Sequence, residues 1–336
     1  MNILILGGAG MVGRKLAEQL ARDGKLGGKA ITAMTLYDVV PPQAPGGAAF
    51  PVTCETGNLP AAGETDRLIA SKPDVVFHLA AIVSGEAELD FEKGYQINLA
   101  GTHNLFESIR RAQYAPRVVF TSSIAVFGAP FPEAIPDDYH LTPLTSYGTQ
   151  KAIGELLLAD YTRKGIFDGI GIRLPTICVR PGKPNKAASG FFSNIIREPL
   201  VGKEAILPVD EDVRHWHASP RSGVRFLIRA ATIDGDDVGP RRNLGMPGVS
   251  VTVGDQIEAL HLVERGLQSS HHDVILRGHT AVHRAVERHA ILAHPQAVLR
   301  QAAHEPVVHH QVHAALPGQR AQFPAQAGQV RQPLTA

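Results

Sequence analysis

The sequence predicts an α/β protein: a doubly wound, mostly parallel sheet with a smaller C-terminal lobe. Three observations carry that reading. Strand-like apolar runs alternate with helical runs over roughly the first 180 residues. A glycine-rich turn holding Gly7, Gly10 and Gly13 joins the first strand to the first helix. The runs NILILGG, PDVVFHLAA and PRVVFTSSIAVFG are almost continuously apolar, as strands covered on both faces must be.

Taken in order, NILILGG (2–8) is the first strand, and Val12, Leu16 and Leu20 mark the apolar stripe of the helix after it. The G-x-x-G-x-x-G turn between them meets three demands: a turn without a Cβ, close backbone approach to a pyrophosphate, and tight packing of helix on sheet. Met11 and Val12 open the helix, where free N–H groups and the helix dipole favour phosphate. This strand–turn–helix context identifies a Rossmann-type nucleotide site. The second strand, AITAMTLYDVV (30–40), carries Asp38, 25 residues beyond Gly13, and the insertion GKLGGK accounts for the excess over the usual spacing of about 20. An acid there accepts the adenosine ribose hydroxyls and repels a 2′-phosphate, so NAD is expected rather than NADP.

The alternation continues with a strand at 73–81, a helix at 94–112 and a strand at 116–128 that ends in polar residues. A helix at 146–165 with Ile153, Leu156, Leu157 and Tyr161 facing inward comes next, then a strand at 169–179. The lobe is expected to hold a helix at 191–202, a strand near 205–209, a helix at 220–233 and a further helix opening near Thr252 or Asp255. The implied division is a cofactor-binding domain at 1–178, a partly interleaved substrate lobe at 179–260, and a distinct segment at 261–336.

That last segment is set apart by composition. Residues 1–260 carry 10 Lys and 16 Arg against 28 acids, a net of −2, whereas residues 261–336 carry 7 Arg, no Lys and 4 acids, a net of +3. The segment also holds 11 of the 16 histidines and a single aromatic, Phe323. It reads either as a native appendage or as an out-of-frame translation of a GC-rich gene, and its end reads as disordered. Its histidines lack the fixed spacing of a metal site. For the whole chain, balanced charge argues against a nucleic-acid surface. Two cysteines make no disulfide framework, and no apolar run reaches the roughly 18 residues of a membrane span. With no secretory leader in view, a cytoplasmic location is expected.

The chemistry lies between Ser123 and Lys151. Tyr147 and Lys151 are four apart on one helix and share a face. A lysine ammonium favours the phenolate and makes tyrosine a usable base. Ser123, at the end of the preceding strand, can hold a substrate oxygen against Tyr147. This set suits alcohol oxidation with hydrogen transfer to NAD. Arg180, Lys183 and Lys186 form one basic cluster, and Arg214, His215 and His217 a second polar patch, so Arg180 and Arg214 are candidate carboxylate-binding residues.

Together these residues resemble the extended short-chain dehydrogenase/reductase family, which contains nucleotide-sugar epimerases and dehydratases; the resemblance spans about residues 1–260. It implies that Asn58 and Leu59 contact adenine, with Asn where the family usually has Asp. It further implies that Leu79, Ala80 and Ala81 flank the cofactor, that Asn98 braces the site, and that Ser122 lines the cofactor side. Ser123, Tyr147 and Lys151 fall on the catalytic set, and Pro175 and Thr176 would pack near the nicotinamide. The segment RLPTICVRPG departs from the family's Arg-x-x-Asn-x-Tyr-Gly-Pro, and Ile124–Ala125 stand where dehydratases carry Asp–Glu, so dehydration is not expected. Runs such as TSSIAVFGAPFPEAIPDD and DVRHWHASPRSGVRFLIRA are similar to a group that oxidises a four-carbon sugar acid. The implied reaction is oxidation of D-erythronate at C2 to the 2-oxo acid. A nucleotide-sugar 4-epimerase and a non-catalytic NAD-binding regulator are the alternatives. Homodimerisation through the helices near 96–112 and 150–163 is the family habit.

Overall fold

The computed structural model describes residues 1–136, 139–182 and 186–267. Beside a small hairpin (Lys25–Leu26 with Lys29–Ala30), ten strands occur among them: β1 (Asn2–Leu6), β2 (Ala33–Asp38), β3 (Val52–Thr56), β4 (Val75–His78), β5 (Arg117–Ser123), β6 (Asp168–Leu174), β7 (Thr176–Ile177), β8 (Arg214–Ala218), β9 (Asn243–Gly245) and β10 (Val249–Thr252). Seven form one parallel sheet in the order β9-β6-β5-β4-β1-β2-β3. The order reverses between β1 and β4, and a ligand crevice opens beyond the carboxyl ends of the strands at such a point. A second sheet, β10-β8-β7, belongs to the lobe.

Among the described residues, the α-helices of six residues or more are α1 (Met11–Asp23), α2 (Glu64–Ile69), α3 (Ser84–Leu89), α4 (Gly101–Ala112), α5 (Ser146–Arg163), α6 (Phe191–Arg197), α7 (Pro220–Thr232) and α8 (Val253–Leu267). Alternate residues of each strand serve opposite faces. Ile3 and Ile5 pack with Leu16 and Leu20 of α1 and Val224 and Leu227 of α7. Leu4 and Leu6 pack with Leu68 of α2, Leu105 and Ile109 of α4 and Leu158 of α5. The predicted doubly wound sheet is thus present, and GKLGGK forms the hairpin before β2.

Several local expectations need correction. No strand forms at 205–209: Ile206 there is largely exposed, and the lobe's central strand is β8. On α5, Leu156 is 65% exposed, whereas Gly154, Glu155 and Leu158 face inward. The stripe runs one residue away from the apolar reading because Glu155 is buried as an ion-pair partner. The predicted helix at 94–112 is two pieces, a π-helical stretch at Tyr95–Ala100 leading into α4. The opening of α8 agrees with its sequence signal: Thr252 Oγ1 accepts from the Asp255 N–H and Asp255 Oδ2 from the Thr252 N–H. The composition break at 261 falls within α8, and what was read for 268–336 lies outside the described residues.

Gly154 fixes the distance of α5 from the sheet, because a Cβ there would sit 2.7 Å from Phe120 Cζ. Gly154→Val is expected to cost about 1–3 kcal/mol through overpacking. Urea unfolding should show a lower midpoint at unchanged slope.

Candidate active site

The crevice is built from the turn after β1. Gly7 adopts φ +91°, and a Cβ on it would lie 2.8 Å from the Ala80 N, so this turn packs directly on the Leu79–Ala80 backbone. A Cβ on Gly13 would run into the Gly7 carbonyl. The start of α1, at Met11 and Val12, has no side-chain cap and no acid in its first turn, which leaves amide donors for an anion. Asp38, at the end of β2, accepts from Ala9 N–H (3.0 Å) and Val39 N–H (2.7 Å) and so stands across the turn. Asn58 is exposed and Leu59 is buried next to α4. Leu79, Ala80 and Ala81 are half-buried along the β4 loop. Asn98 is buried; its Oδ1 accepts from Ile82 N–H (2.9 Å) and its Nδ2 donates to Gln150 Oε1 (2.8 Å), tying that loop to α5.

The reactive side chains meet where α5 starts beside the end of β5. Thr145 Oγ1 accepts from the Gly148 N–H and Glu88 Oε2 from the Ser146 N–H, fixing the first turn of the helix. A Cβ at Gly148 would collide with the Ala125 carbonyl, so glycine lets this turn press against the Ser123 corner. Ser123 Oγ accepts from Ala125 N–H at 3.1 Å and lies close enough to the Tyr147 phenol to act on it. Burial raises the Tyr147 phenol, while the Arg180 charge and the Ser123 hydroxyl draw it down. Lys151 Nζ lies 5.8 Å from the Tyr147 ring centroid and donates to Thr121 O at 2.8 Å. Burial lowers this lysine to about 7, against the opposing pull of Glu155. His78, bonded to Thr102 Oγ1 at 2.8 Å, is held neutral, pushed down to about 3 chiefly by burial and then by Lys151.

On the lobe side, Arg180 follows β7; its Nε donates to Ile177 O (3.1 Å) and its Nη2 to Ser189 Oγ (3.2 Å). Its charge reaches Tyr147. Arg214 opens β8 and donates to Ser250 O at 3.1 Å. Lys186 is exposed, and Lys183 lies outside the described residues. His215 and His217 do not form a solvated patch: both are buried, their rings 5.0 Å apart, and each packs on the Phe192 ring, at 4.5 and 4.8 Å. Their strand alternates, turning them into the lobe core, and burial lowers His215 to about 4. Pro175 and Thr176 are buried, with Thr176 Oγ1 2.7 Å from His215 Nε2. Ser122 turns its hydroxyl to Glu155 at 2.5 Å, and Glu155 is gripped by Arg173 through Nε (3.0 Å) and Nη2 (2.8 Å). Glu155 and Arg173 are not among the residues predicted for the site. Their signals were there: an acid four residues after Lys151, and one charge inside the strand GIGIRL.

The model of the NAD dependent epimerase/dehydratase family matches residues 3–220. The chain belongs to this family. It is 48% identical over 267 residues to D-erythronate dehydrogenase from Cupriavidus necator, covering 78% of this chain and 82% of the relative. Identity to D-erythronate dehydrogenase from Haemophilus influenzae is 44%, over 79% of this chain and 82% of that protein. A crystal structure of a nucleoside-diphosphate-sugar epimerase from Agrobacterium tumefaciens is 61% identical, with TM-score 0.76, covering 86% of this chain and 84% of that one.

NAD is the cofactor of this oxidoreductase, which acts on a CH–OH group. The residues present fit it: the glycine cradle leaves no room for a Cβ, and the uncapped start of α1 offers donors to a pyrophosphate. Among the described residues no helix is long and apolar enough to cross a membrane.

The buried Lys151 gives a prediction with a definite sign. Its folded-state value near 7 lies below the ordinary lysine value, so the folded protein holds the ammonium only at a cost. That cost is full below about pH 7 and fades as pH rises toward the unfolded lysine value of about 10.4. Lys151→Met should therefore abolish turnover while raising the urea midpoint, by more at pH 6 than at pH 9.

Proposed function

We propose that this chain oxidises D-erythronate at C2 to 2-dehydro-D-erythronate, using NAD. Arg180 is the observation that carries the reading. Its guanidinium is held by a carbonyl and a hydroxyl, and its charge acts on the phenol that serves as base. In a 2-hydroxy acid the carboxylate is bonded directly to the reacting carbon, so the cation that holds it must sit beside the base. The 48% and 44% identical dehydrogenases named for D-erythronate support the same substrate.

In this mechanism Ser123 orients the C2 hydroxyl and Tyr147 takes its proton. Lys151, as ammonium, stabilises the phenolate, and the fixed Ser123 corner keeps base and hydroxyl in register. NAD, when bound in the glycine cradle, would supply the acceptor for the hydride that leaves C2. Arg214, on the lobe sheet, is proposed to meet the distal hydroxyls. Asn58, Leu59, Leu79, Ala80, Ala81, Pro175 and Thr176 are proposed to border the cofactor. A homodimer packed through α4 and α5 belongs to the same proposal and would cover the exposed Leu156; Leu156→Arg should then yield monomers in sedimentation velocity.

The 61% identical epimerase structure favours one second reading, a nucleotide-sugar 4-epimerase. NADH absorbance with D-erythronate and NAD decides between them. Steady NADH formation is expected, with Tyr147→Phe lowering kcat by about 10²–10⁴-fold. Arg180→Gln should raise KM for D-erythronate about tenfold or more, as loss of a charged hydrogen bond worth about 1.5–3 kcal/mol requires. No NADH formation, with conversion of UDP-glucose in the absence of added NAD, would overturn the proposal.

A further inference from the structure

Tyr147, Lys151 and Glu155 are spaced four apart and so share one face of α5. Glu155 is the most buried acid on that helix, 1% exposed, and it touches neither the crevice nor solvent. Its carboxylate is fully engaged. Arg173 of β6 binds it through Nε and Nη2, and Ser122 of β5 donates to Oε1 at 2.5 Å. One side chain on the helix thus ties together the two strands whose carboxyl ends carry Ser123 and the Pro175–Thr176 corner. Arg173 is itself backed by the Phe127 ring, 5.0 Å from its Cζ, just past the Ser123 turn.

We propose that Glu155 is a positioning residue of the dehydrogenase site: clamped by Arg173 and Ser122, it fixes Ser123 against Tyr147 and sets a carboxylate one helical turn from Lys151. The inference rests on the proposed dehydrogenation. A purely structural ion pair would need only the contacts, and its loss would weaken packing without altering how the site titrates. Here the charge has a defined target. Of the groups facing Lys151, His78 on β4 is neutral, Thr121 and Phe120 on β5 are uncharged, and Tyr147 is a neutral phenol until it acts. Glu155 is the group that opposes the effect of burial on the lysine. Lys151 stands between Glu155 and the base: it is one helical turn from each, and its Nζ lies 5.8 Å from the Tyr147 ring centroid.

The test compares Glu155→Gln, Ser122→Ala and the unaltered enzyme by the pH profile of kcat/KM for D-erythronate. Phenolate absorbance of Tyr147 is titrated in parallel, as the difference from Tyr147→Phe. Glu155→Gln is expected to move the rise of kcat/KM and the phenolate titration to higher pH by about one unit, a roughly tenfold loss near pH 7 that recovers in alkali. Ser122→Ala, which keeps the Glu155–Arg173 pair, should lower kcat with no shift of either midpoint. Should Glu155→Gln not fold, Glu155→Asp keeps the charge on a shorter stem and should lower kcat with the midpoint unmoved. A uniform loss of rate in Glu155→Gln with both midpoints unchanged, or a Glu155→Asp enzyme of full activity, would overturn the proposal. The phenolate titration needs no substrate, so an enzyme inactive on D-erythronate but showing the shift would reject the substrate and retain the role of Glu155.

Discussion

The close approach of α5 to the end of β5 is the constraint on which the site depends. Two glycines allow it: Gly148 against the Ala125 carbonyl and Gly154 against Phe120. Once the helix lies that near the sheet, Tyr147 reaches Ser123, Lys151 reaches the Thr121 carbonyl, and Glu155 reaches Ser122. A helix standing one methyl further off would keep the same residues and lose all three contacts. Because interiors are close-packed, such a shift cannot be absorbed locally.

Closeness also means burial, and burial sets the electrostatics. A buried lysine loses its ordinary preference for the charged form, which is the form a tyrosine base requires. The structure answers with an acid one turn along the helix and leaves the nearby histidine neutral. Arg180 adds a cation whose charge reaches Tyr147, which is why it is the proposed partner of a substrate carboxylate. The resulting stability–function trade-off is ordinary for active sites, where charge is retained despite its cost.

Much of this was legible in the residues. The parallel sheet could be read from NILILGG and PRVVFTSSIAVFG because strands covered on both faces leave continuous apolar runs. The Ser123, Tyr147 and Lys151 set could be read because helix periodicity brings Tyr147 and Lys151 to one face. What escaped reading were polar residues in apolar places. Glu155 and Arg173 make a buried pair between elements 18 residues apart, so neither looks inward-facing alone. Leu156 looks inward-facing for the complementary reason, since its apolar side chain outweighs the adjacent acid in any hydrophobic pattern. The strand nature of Arg214–Ala218 is hidden in the sequence because nothing there shows that His215 and His217 pack on each other and on Phe192. Short edge strands such as β9 carry too few residues for periodicity to show.

The central claim is that hydrogen leaves C2 of a small hydroxy acid held beside Tyr147. D-Erythronate deuterated at C2, turned over with NAD and followed by mass spectrometry of the reduced cofactor, tests it most directly. Deuterium carried quantitatively into the reduced cofactor, with a slowed kcat/KM, is the predicted result. Reduced cofactor lacking deuterium would contradict the account.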